Sequence, residues 1–95
     1  MSQLDRSIKL ATRSFVRDLI RMKSQSHGIN HVRLGFAKEN RKALLILTEH
    51  DLVDKRDIQD VMHLLSYYSD VINHHERAEE LDQAAHETNL EILQG

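Results

Sequence analysis

Between its first residue and its last, this chain meets no proline, and glycine interrupts it only at 28 and 35 before the terminal Gly95. A helix once started therefore has few places to stop, and β-turn pairs such as Asn-Gly are absent. The spacing of apolar residues points the same way. Leu4, Ile8, Ala11, Phe15, Leu19 and Met22 recur every three or four positions, which gathers them on one helix face. Arg6, Lys9, Arg13, Arg17 and Arg21 line the opposite face, and Val16 and Ile20 widen the apolar side. The pattern predicts an amphipathic helix of about five turns. It should end between Ser24 and Gly28, where glycine accepts a left-handed backbone.

The next segment, INHVRLGFAKENRKALLILTEHD, admits two readings. As a helix capped by Asn30, it places Val32, Phe36, Ala43, Ile46, Leu47 and His50 on one side and leaves Leu34, Leu44 and Leu45 off that stripe. As a β-hairpin over about 29–48, Val32, Leu34 and Phe36 alternate, KENR turns, and Ala43 to Leu47 returns. The helix is preferred, because AKENRKALLIL is built from strong helix formers and the turn would lack glycine.

A third segment opens on Asp54, whose carboxylate suits an N-cap, with Asp57 in the first turn where the helix dipole favours negative charge. Ile58, Val61, Met62, Leu65, Tyr68, Val71 and Ile72 then repeat at helical spacing. Beyond them Ala78, Leu81, Ala85, Thr88 and Ile92 form a seam one residue out of step with the heptad of Ile58, Leu65 and Ile72. Either one long helix bends or overwinds near NHHERAEE, or Asn73 caps a new helix with Glu76 three positions on. The expected architecture is a single all-α domain over residues 1–95, a three- to four-helix bundle completed by homodimerisation. The interface would be drawn from Ile58, Val61, Leu65, Tyr68, Ile72, Leu81, Ala85 and Ile92.

Charge divides unevenly. Residues 1–47 carry ten Lys or Arg against Asp5, Asp18 and Glu39, a net of +7, whereas residues 48–95 carry three cations against twelve carboxylates, a net of −9. That asymmetry calls for an anionic partner of the first half or for attraction between the halves. With Lys38, Arg41 and Lys42, the arginine-rich stripe of the first helix is the candidate binding surface. The leading reading is contact with an acidic protein surface, including the acidic C-terminal helix of this or another chain. Nucleic acid is the alternative, and plain solvation the blandest. A helix-turn-helix over LLILTEHDLVDKRDIQDVMHLL would present Lys55, Arg56 and Gln59, but Asp51, Asp54, Asp57 and Asp60 would repel phosphates.

The absence of cysteine removes disulfides, thiolate metal sites and thiol nucleophiles. Seven histidines offer pairs three or four residues from a histidine or carboxylate, yet no metal-site motif occurs, and surface histidines beside carboxylates are the simpler reading. An interface lined by His63, His74, His75 and His86 would respond to mild acid. No nucleophile with its base and no phosphate loop can be assembled, so the chain is expected to be non-enzymatic and without a cofactor. No segment approaches the roughly 18 apolar residues of a membrane span, and the expectation is a cytoplasmic adaptor or regulator acting on itself and on acidic protein partners.

Overall fold

A computed structural model describes the backbone of residues 3–94 and the side chains of residues 3–88. It contains three α-helices and no strand among the described residues: α1 (Gln3–Gln25), α2 (Leu34–Glu49) and α3 (Ile58–Gln94). Single 3-10 turns at Ile29–His31 and Lys55–Asp57 lie in the two connections. The hairpin over 29–48 is thereby excluded, and Asn30 does not cap α2. Arg33 precedes the helix with no side-chain cap, and Asn30 lies in the 3-10 turn before it.

Each boundary has a local cause. After α1, Gly28 takes a φ of 103° and a ψ of 170°, a positive-φ backbone that costs a residue without Cβ little, and leads into the 3-10 turn. At the end of α2 the Leu52 N–H bonds to the Leu47 carbonyl at 2.9 Å and the Asp51 N–H to the Thr48 carbonyl at 3.1 Å, a Schellman motif with Asp51 in the left-handed position (φ 55°). Before α3 the Asp54 carboxylate accepts the Arg56 N–H at 3.0 Å, as its position in the sequence led us to expect.

The long helix α3 organises the rest. α1 runs parallel to it, because Arg13 pairs with Asp57 at one level while Ser26 hydrogen-bonds the Tyr67 hydroxyl at 3.1 Å further along. α2 runs antiparallel: Val32 meets His75, Arg41 donates to the Ser69 hydroxyl at 2.9 Å, and the chain then returns to Asp57. Val16, Leu19, Ala37, Leu44, Val53, Val61, Leu64, Tyr68 and Val71 form the core.

This core lies on stripes rotated from the expected ones. In α1 the buried positions are Thr12, Val16 and Leu19, and Leu4 and Met22 face outward. In α2 they are Ala37 and Leu44, while Phe36 and Ile46 are exposed. In α3 they are Val61, Leu64, Tyr68 and Val71, not Ile58 and Met62. A broad apolar arc shows that a helix has an inner side without fixing the centre of that side, and packing of neighbours chose the centre.

The same correction removes the phase slip. Leu64 and Val71 fall on the heptad positions that continue to Ala78 and Ala85, so α3 needs neither a second cap at Asn73 nor a change of register, and it runs unbroken for 37 residues. Body and arm nevertheless differ sharply. Beyond His75 every described side chain, Glu76 to Thr88, is exposed. At about 1.5 Å per residue, α3 is roughly 55 Å long and α1 overhangs its start by roughly 15 Å, as expected for parallel helices paired at Arg13 and Asp57. The molecule is accordingly a rod 70 Å long and 25 by 17 Å across.

Candidate functional site

The outward face of α1 carries the candidate site. Two shallow grooves share Leu10 and Arg13. One, of about 320 Å³, is lined by Arg6, Lys9, Leu10, Arg13, Asp54 and Arg56. The other, of about 400 Å³, continues along the helix past Ser14, Arg17, Asp18 and Arg21. Together they make a cationic track with an apolar residue near its middle, for Leu10 is 62% exposed although it sits among charges. Sequence reading assigned the cations to this face; it did not find Leu10 there, nor Arg56 joining from the start of α3.

The cations of the track are differently occupied. Arg21 is held by Asp18 at 2.8 Å, one helical turn away. Arg56 reaches back to Asp54 at 3.4 Å. Arg13 Nε lies 3.7 Å from Asp57 Oδ2, close enough to attract but too far for a hydrogen bond, and both atoms are buried with no hydrogen-bond partner. Arg6, Lys9 and Arg17 have no carboxylate partner among the described residues. Asp54 is held below the ordinary carboxylate range, first by the Arg56 N–H and then by the Arg56 side chain.

The remaining expected contact residues lie elsewhere. Lys38, Arg41 and Lys42 project from α2, exposed, with Arg41 hydrogen-bonded to Ser69, and none of them lines the α1 track. Of the expected interface residues, Val61 and Tyr68 are consumed by the chain's own core and are not presented to a second copy. Leu65 and Ile72 are half-buried, Ile58, Leu81 and Ala85 are exposed, and the side chain of Ile92 lies outside the described residues. The stretch weighed against a helix-turn-helix holds the end of α2, the connection and the start of α3, with Lys55, Arg56 and Gln59 exposed.

Among the histidines, His75 is half-buried and its Nε2 sits 2.7 Å from the Val32 carbonyl oxygen, tying the first connection to α3. His63, His74 and His86 are exposed. No group of three or more His, Asp or Glu able to hold a metal ion occurs among the described residues. No described helix is long and apolar enough to cross a membrane. Comparison with protein-family models, with curated proteins and with solved structures gave no match, so the site rests on its own geometry.

Proposed function

We propose that the chain is a small non-enzymatic adaptor or regulator that works through helix-to-helix contacts, with the cationic track of α1 docking an acidic protein surface. The observation that carries this reading is the set Arg6, Lys9 and Arg17, without carboxylate partners among the described residues, ranged about the exposed Leu10. Guanidinium groups at helical spacing suit carboxylates on a facing helix, and an exposed leucine among them suits a partner that offers an apolar side chain as well as charge.

Nucleic acid is the second reading, favoured by the same unpartnered cations. Against it stand Asp18 and Asp54, which line the track among the cations. A protein surface can answer mixed signs with mixed signs; a phosphate backbone offers only one. Fluorescence anisotropy separates the two, with a labelled Glu/Asp-rich helical peptide and a labelled arbitrary duplex titrated across a salt series. The expected result is salt-sensitive peptide binding that Arg6→Glu/Arg17→Glu abolishes, with weaker duplex binding. Tighter binding to the duplex, with log affinity falling steeply against log salt, would replace the first reading with the second.

A further inference from the structure

Among the described residues the acidic arm of α3 beyond His75 makes no ion pair with α1, although the two charged halves touch at Arg13 and Asp57. The ion pairs among the described residues are Arg13–Asp57, Arg21–Asp18 and Arg56–Asp54, and none of them joins the C-terminal arm to α1. The geometry explains why. α1 and α3 are parallel, with α1 overhanging the start of α3, so the cationic track lies toward one end of the rod and the arm forms the other. The arm cannot turn back, because α3 is a single unbroken helix with neither glycine nor proline between Ile58 and Gln94. Residues 76–94 carry six carboxylates and one cation, so the tip of the rod is strongly negative, whereas the α1 track toward the other end carries Arg6, Lys9, Arg13 and Arg17.

Building on the proposed function, we infer that the acidic surface taken by the α1 track is the arm of a second copy of this chain, two antiparallel molecules each laying Glu76, Glu79, Glu80 and Glu87 along the other's Arg6, Lys9, Arg13 and Arg17. Three features of the molecule support this choice of occupant. Arg6, Lys9, Arg13 and Arg17 stand three or four residues apart, and Glu76, Glu79, Glu80 and Glu87 share one side of the arm over the same length of eleven residues, so opposite charges can face each other. The lengths correspond: α1 has 23 residues and the arm beyond His75 has 19 helical ones. An antiparallel two-fold pairing uses both arms and both tracks at once, so the assembly closes as a dimer and does not grow into a filament. Arm against arm would instead bring two negative helices together. Because Arg6, Arg17 and the four arm glutamates are exposed, the contact is salt-sensitive by construction.

The test is light scattering and sedimentation on the full chain, from roughly 10 mM salt, where the screening length is about 30 Å, to 1 M, where it is about 3 Å. A dimer at low salt that dissociates at high salt is expected. Arg6→Glu/Arg17→Glu and Glu79→Lys/Glu80→Lys/Glu87→Lys alter only exposed residues, so far-UV circular dichroism should show both variants folded. Each alone should be monomeric at low salt, and an equimolar mixture should dimerise, since every reversed face then finds its complement. A dimer that survives Arg6→Glu/Arg17→Glu overturns the inference and points to arm-on-arm packing. A wild-type chain that is monomeric at every salt concentration yet retains the acidic peptide overturns it too, while leaving the proposed function standing. A monomer that also ignores the peptide overturns both.

Discussion

One helix contains two regions that obey different physics. From Ile58 to His75, α3 is covered by α1, α2 and the first connection, and its inward positions are Val61, Leu64, Tyr68 and Val71. From Glu76 the same register continues as Ala78 and Ala85, every described side chain as far as Thr88 is exposed, and Leu81 is 64% exposed. In the body, tertiary burial holds the helix. In the arm, helicity rests on alanine, leucine, glutamate and glutamine, all strong helix formers, with local help from Gln83 donating to Glu87 at 3.4 Å. The lesson is that the heptad period only marks where a neighbour can lie, and side-chain size shows whether this chain supplies it.

If that contrast holds, equal truncations should have unequal effects. Leu64→Ala should lower unfolding stability by about 3 kcal/mol, because it opens a cavity in a dry core, whereas Leu81→Ala should change it by less than about 0.5 kcal/mol in dilute solution. Urea denaturation of both variants checks the pair. Comparable losses would mean the arm is packed in solution.

The body core also has an alkaline limit. Burial, helped by neighbouring Tyr67, pushes the Tyr68 phenol from an ordinary value of 10.0 up to about 12. Burial favours the neutral phenol, so its contribution is complete below pH 10 and is lost as pH rises toward 12. Stability measured from pH 9 to 12 should fall in that window, and Tyr68→Phe should remove this part of the fall.

A smaller effect is expected where α1 meets the start of α3. Asp57→Ala leaves Arg13 Nε buried beside nothing and should cost about 2 kcal/mol, while Arg13→Met/Asp57→Leu should recover most of that loss. A double-mutant cycle reads the coupling. Smaller still is the cap: Asp54→Ala should lower stability in urea denaturation by less than Asp57→Ala does. The folded-state pKa of Asp54 is depressed, so the wild-type advantage is present above the ordinary value of 3.8 and fades as pH falls through the lowered one. Wild type and variant should therefore converge in acid.

The parts of the fold that the sequence disclosed are those decided within a few residues. Gly28 ending the α1 region, Asp54 opening α3, and helix in preference to hairpin over 34–49 are all choices that neighbouring side chains and backbone settle between them. The parts it hid depend on distance in space. Val16, Leu44 and Leu64 are nearly or wholly inaccessible, yet each has apolar neighbours at adjacent positions, and periodicity alone could not rank them. Taking the exposed Ile58 as the reference gave α3 a false slip that the true inner residues remove.

The candidate site divides along the same line. The cationic stripe is a property of helical spacing and was legible. Arg13 meets Asp57 across 44 positions of chain, and Leu10 stands outward because the inner face centres on Thr12 and Val16, neither of which spacing reveals. A more telling signal was available in the arm, where small residues at heptad positions indicate a helix without a neighbour of its own.

The elongation has a practical side. A radius of gyration of 18.6 Å belongs to a chain that a compact shape would hold near about 13 Å. Such a particle diffuses slowly for its 11.1 kDa and leaves a sizing column early, at the volume of a globular protein of greater mass. Elution position alone would therefore overstate the mass of a single copy, and counting molecules needs light scattering.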